Sequence, residues 1–159
     1  MSTLILYSSK YGCTERCVEF MSKELKDKPN IINLKNSGDI DISKYDKVII
    51  GGSIYMGRIQ KEVTEFCSNN LKELKEKQIG LFICGMQEGD AINNELIENF
   101  PPELINIAIS KIYFGGEFNF DKMNFFEKFI VKKIAKTSSS KSNILNDNIH
   151  KFAQAMNSI

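Results

Sequence analysis

Leu4-Ile-Leu-Tyr-Ser-Ser-Lys-Tyr-Gly-Cys-Thr14 begins as an apolar run, breaks into a hydroxyl-rich turn and passes at once into a helical pattern. Cys17, Val18, Met21 and Leu25 recur at the spacing of one helix face. The pattern stops at Lys28-Pro29-Asn30, where proline cannot continue a helix and pushes its predecessor out of the α region. An apolar strand feeding directly into a helix is half of a βαβ unit, and the rest of the chain repeats it. Ile31-Ile-Asn-Leu34 reads as a second strand and Lys47-Val-Ile-Ile-Gly-Gly-Ser53 as a third, apolar enough to be covered on both faces. A helix from about 61 to 75 turns Val63, Phe66, Cys67, Leu71 and Leu74 inward. Ile79-Gly-Leu-Phe-Ile-Cys84 is the fourth strand, and a short helix over 92–99 is broken by Pro101-Pro102. Ile107 to Phe114 is the fifth strand, and Asn146 to Met156 lies in a closing helix. The expectation is one α/β domain over 1–159, a doubly wound three-layer sandwich around a five-stranded parallel sheet of order 2-1-3-4-5. An extra block follows the fifth strand, over about 116–143.

Composition narrows the function classes. Hydrophobic residues make up 42% and charged residues 26%, which excludes a disordered or collagen-like chain. The formal net charge is +1, so no global field draws the protein to nucleic acid. No stretch approaches the length of a membrane span, and the first residues carry no basic, export-like segment. A cytoplasmic protein with reduced thiols is therefore expected. Cys13, Cys17, Cys67 and Cys84 lie far apart in sequence, none in a CxxC pair, and His150 is the sole histidine, so a Cys/His zinc site is not expected.

In a sheet of this order, ligands bind beyond the carboxyl ends of the strands, where the loops after strands 1, 3 and 4 meet. The first loop, Ser9-Lys-Tyr-Gly-Cys-Thr14, leads into a helix whose exposed N–H groups favour an anion. Ser9 and Thr14 add hydroxyls, and Gly12 lets the backbone curl tightly. GxGxxG and GxxxxGK[ST] are both absent, which disfavours a dinucleotide or NTP site and leaves a terminal phosphomonoester. Read locally, the same hydroxyls are also adequate helix caps. A phosphoacceptor receiver domain shares the topology but needs acidic residues where this chain has Tyr7-Ser-Ser and Gly52-Ser53.

Tyr7-Ser-Ser-Lys-Tyr-Gly-Cys-Thr-Glu15 resembles the flavodoxin signature, S/T-x-T-G-x-T after strand 1, with Tyr11 standing at one hydroxyl position. The resemblance implies a flavodoxin-like fold, FMN as cofactor, and Ser9, Lys10, Tyr11, Gly12, Cys13 and Thr14 around its phosphate. It places Ser53, Ile54, Tyr55, Met56 and Gly57, in the loop Gly51–Arg58, against the flavin ring. Tyr55 is the stacking candidate, and Gly57 is the peptide that can reorient beside flavin N5. Gly85, Met86, Gln87, Glu88 and Asp90 would line the other side of the ring, with backbone N–H groups on the flavin carbonyls. No side chain stands out as an acid–base catalyst, so none is assigned; Cys13 and Cys17 read as packing residues and His150 as a surface residue.

The block after strand 5 separates subclasses. Over 123–136, Phe126, Phe129, Ile130 and Ile134 share one helical face, and Lys128, Lys132 and Lys136 form a row on the other. From Phe118 to Leu145 six lysines face only Asp121 and Glu127. Electron-carrier flavodoxins are usually acidic around the flavin, whereas this chain is locally basic. With Gly52-Ser-Ile-Tyr-Met-Gly57 and Phe125-Phe-Glu-Lys-Phe-Ile130, it is similar to the flavodoxin-like protoporphyrinogen IX dehydrogenases of bacteria. That resemblance implies a porphyrinogen or quinone substrate, with a redox protein as partner in the alternative shuttle reading. The same basic amphipathic segment suits peripheral contact with an anionic membrane surface.

Overall fold

The computed structural model of the protein describes residues 2–9, 13–85, 90–118 and 141–159. Five parallel strands form its sheet: β1 (Thr3–Ser8), β2 (Asn30–Asn33), β3 (Lys47–Tyr55), β5 (Gln78–Cys84) and β6 (Ser110–Tyr113). Their order, β2-β1-β3-β5-β6, is the expected 2-1-3-4-5 once the small β4 (Arg58–Ile59), antiparallel to β3, is set aside. Alternation along the strands makes two cores. On one face Leu4, Leu6, Val48, Ile50, Ile79, Leu81 and Ile83 pack with residues of α2 (Lys61–Asn69), α3 (Leu71–Leu74), α4 (Asp90–Asn99) and α5 (Pro102–Ile107). On the other face Ile5, Tyr7, Ile49, Phe82 and Cys84 meet α1 (Cys13–Glu24) and the last helix, α6 (Asn146–Asn157).

An aromatic trio fixes the centre of that second core. Phe82 and Phe114 stack at 4.8 Å, and Phe152 of α6 stands edge-on to them at 6.2 and 5.3 Å. Gly51, in the neighbouring strand, leaves room for the Phe82 ring: a Cβ there would lie 2.4 Å from its atoms. Lys47 is also buried, and its Nζ donates to the Met156 carbonyl at 2.8 Å, placing a cation at the end of α6 where the helix dipole favours one. His150 is exposed, as expected, and its Nδ1 lies 2.9 Å from Glu24 Oε1, tying α6 to α1.

Four boundaries differ from the sequence reading. Gly51–Arg58 is not a loop: β3 continues to Tyr55 and turns back into β4. The helix over 61–75 breaks at Asn70 (φ −117°, ψ 15°), whose side-chain amide donates to the Phe66 carbonyl at 3.0 Å, local bonding of the kind that competes with a helix. Residues 107–109 are not strand, because Pro102 starts a further helix, α5, from a position where its missing N–H costs nothing. The block after β6 begins and ends in an antiparallel ladder, β7 (Gly115–Phe118) with β8 (Lys141–Ile144), in register from Gly115↔Ile144 to Phe118↔Lys141. The amphipathic stretch 123–136 falls outside the described residues.

Candidate functional site

Register brings the three expected loops together. Ser8 of β1 pairs with Gly52 of β3, and Gly52 pairs with Ile83 of β5, so β1 and β5 end nearly level on either side of β3, which runs on to Tyr55. Beyond β1, Thr14 lies in the first turn of α1 and is fully buried, yet its Oγ1 has no hydrogen-bond partner among the described residues. An enclosed, unsatisfied hydroxyl costs about 1–3 kcal/mol. Beside the orphan N–H groups of a helix start, it fits a site completed by an anionic acceptor, as the phosphate of FMN would provide. Ser9 is half-buried and its carbonyl accepts from Lys35 Nζ. Lys35 was missed by sequence reasoning; its place just after β2 brings a cation to this end of the sheet. Lys10, Tyr11 and Gly12 lie outside the described residues. The Cys13 side chain packs into the core between α1 and the sheet, leaving only its backbone for a phosphate.

The second segment is a β-hairpin. Tyr55 pairs with Arg58, and the two turn residues, Met56 (φ 52°) and Gly57 (φ 80°), both take the positive φ that a type I′ turn requires. Met56 is 66% exposed at the tip, while Ser53, Ile54 and Tyr55 are half-exposed along β3. Two residues that sequence reasoning overlooked hold this hairpin. Gln60 Oε1 accepts from the Ser53 N–H at 3.1 Å, and Gln60 Nε2 donates to Ser53 Oγ at 2.8 Å. Asn99, from the end of α4, accepts from the Ile59 N–H at 2.9 Å and donates to the Gly57 carbonyl at 3.2 Å. Neither shows a motif; both are single polar residues at element ends.

The third segment leaves β5 at Gly85. Its N–H donates to the Gly115 carbonyl at 2.8 Å and its carbonyl accepts from the Tyr113 hydroxyl. The Gly85 N–H is therefore bonded to β7. Met86, Gln87 and Glu88 lie outside the described residues; Asp90 opens α4, and its side chain is likewise outside.

Farther along α4, burial lifts the Glu95 carboxyl above the usual carboxylate range, with nearby Glu98 adding to the rise, and Oε2 has no partner among the described residues. The folded chain then keeps this proton to higher pH than the unfolded chain, so stability falls as pH rises through that interval. Glu95→Gln is expected to flatten that part of the profile and to gain most near neutrality. Urea unfolding of both proteins between about pH 4.5 and pH 7 measures it. Parallel profiles would mean that this carboxyl ionises as it does in water.

Comparison with known proteins agrees with this geometry. A flavodoxin domain model matches residues 4–144. Protoporphyrinogen IX dehydrogenase [quinone] of Leishmania major is 20% identical over 154 residues, covering 87% of this chain and 64% of the relative. The Escherichia coli K12 protein of the same name is 30% identical over 77 residues, covering 46% and 42%. The chain thus spans less than two thirds of either relative. Among solved structures, a short-chain flavodoxin associated with a PDU bacterial microcompartment superposes with a TM-score of 0.63 at 17% identity, covering 98% of this chain and 96% of that one. Two-electron reduced Megasphaera elsdenii flavodoxin gives 0.59 at 14%, covering 96% and 98%. A family match over nearly the whole chain, a 2-1-3-4-5 sheet and an unsatisfied hydroxyl at the first helix lead to one conclusion: this chain belongs to the flavodoxin domain family, with FMN as its cofactor.

Proposed function

We propose that the protein is an FMN-dependent dehydrogenase that oxidises a porphyrinogen and passes the electrons to a quinone. FMN supplies the redox chemistry, accepting electrons from one partner and releasing them to the other. The chain's own part is to hold and orient that cofactor. Thr14 and the first turn of α1 take the phosphate, and Gln60 and Asn99 keep the Tyr55–Met56–Gly57 hairpin in place beside the ring. One observation favours the dehydrogenase over a plain electron shuttle. The β7–β8 ladder starts next to Gly85 and its last pair is Phe118 with Lys141, while residues 119–140 between them lie outside the described residues. Those residues carry the apolar and lysine-rich sequence suited to a flat, carboxylate-bearing substrate or an anionic membrane surface. The name shared by the two curated relatives supports the same reading. We further propose a cytoplasmic protein working at the inner face of a membrane, where a lipid-soluble quinone is accessible. Among the described residues, no helix is long and apolar enough to cross a membrane.

The test is anaerobic turnover of FMN-loaded protein with protoporphyrinogen IX and a menaquinone analogue. A second protein, with 119–140 replaced by a two-residue turn so that the ladder survives, should keep its FMN and lose turnover. Absence of turnover in the full chain, together with rapid reduction of a haem or iron–sulfur protein, would establish the shuttle instead.

A further inference from the structure

Three cysteines that are scattered in sequence converge in space. Cys13 and Cys17 stand one turn apart on the inner face of α1, Cys84 ends β5, and the three Sγ atoms lie within 4.8 Å of one another. They are 6%, 0% and 1% exposed, and none is in a disulfide. We propose that Cys13, Cys17 and Cys84 form a binding site for one thiophilic ion of low coordination number, copper(I).

Thiolate sulfur selects soft ions. Three sulfurs at about 2.3 Å from a central ion would stand about 4.0 Å apart, so the cluster is within roughly an ångström of ligating geometry. No histidine, aspartate or glutamate among the described residues joins the cluster. The three thiols share one buried core cluster with Ile5, Val18, Phe82 and Phe114. Zinc, which wants four ligands, is poorly served there; copper(I) is satisfied by two or three sulfurs. Two of the three thiols lose their protons to bind this ion. Binding displaces those two protons to solvent, and the third cysteine remains a neutral thiol; no electron is transferred.

Competition with a chromophoric copper(I) chelator, bathocuproine disulfonate, tests the site under anaerobic, reducing conditions. The reduced protein should withdraw one equivalent of copper(I) and develop ultraviolet thiolate-to-copper absorption. Cys13→Ser and Cys84→Ser should lose both signals. Cys67→Ser should keep them, because Cys67 packs on the opposite face of the sheet. Circular dichroism identifies any variant that fails to fold; Cys13→Ser, at the rim of the cluster, is the mildest and decides the matter if Cys84→Ser unfolds. Failure of the parent to withdraw copper, retention of copper by folded Cys13→Ser, or equally tight zinc binding would each overturn the site.

Discussion

A Thr14→Val variant holds FMN roughly ten- to 150-fold more weakly than the parent chain, while its cofactor-free form unfolds no more easily. The first half follows from losing a hydrogen bond to a charged group, worth about 1.5–3 kcal/mol. The second half follows from the present state of that hydroxyl. Its Oγ1 is enclosed and has no partner among the described residues, so a methyl group of nearly the same shape removes an unsatisfied polar atom and leaves the packing intact. Affinity and stability therefore move independently, which a merely structural helix cap would not allow, since removing a cap destabilises the fold itself. Fluorescence quenching of FMN gives the first quantity and urea unfolding without cofactor gives the second. Equal affinity in the two proteins would remove Thr14 from the phosphate site.

Phe82→Ala is expected to cost about 3–5 kcal/mol. Phe82 is fully buried, stacks on Phe114 and meets the edge of Phe152, so truncation empties a space bounded by the sheet and α6. The reverse error is also costly. Gly51→Ala drives a methyl to 2.4–2.5 Å from three ring atoms of Phe82, and overpacking of this kind costs about 1–3 kcal/mol. Because the two sites touch, their effects should not add: Gly51→Ala combined with Phe82→Leu should lose less than the sum of the separate changes. Denaturant midpoints at constant slope measure each term. Strict additivity would show that the glycine is needed for some reason other than the ring beside it.

The strand–helix alternation was readable because it rests on local periodicity. The apolar runs at 4–7, 47–50 and 79–84 became β1, β3 and β5, and Cys17, Val18 and Met21 of the helical spacing are buried on α1, with Leu25 just past its end. Sheet order followed from the strand count and a general topological rule. What could not be read was set by long-range or single-residue events. Asn70 interrupts a helix through its own amide, and Pro102 begins one where a breaker was expected. The Met56–Gly57 turn lacks an Asn-Gly or Asp-Gly marker, so the hairpin passed for a loop. At the site, Thr14 was legible from its place after β1. Gln60, Asn99 and Lys35 were not, because their partners lie on other elements. The convergence of Cys13, Cys17 and Cys84 needed the packing of α1 on β5, which no spacing rule supplies.

The β7–β8 ladder has an evolutionary corollary. Its last rung joins Phe118 to Lys141, so the two ends of whatever lies between them are already side by side. Lengthening a segment whose ends are pinned adds only about 0.6 kcal/mol for each doubling. Descendants of this gene could exchange the intervening cassette for a short bend or a longer one without disturbing the nucleotide cradle. If that cassette selects the substrate, as the proposed function has it, substrate choice is free to diversify while the FMN site stays constant.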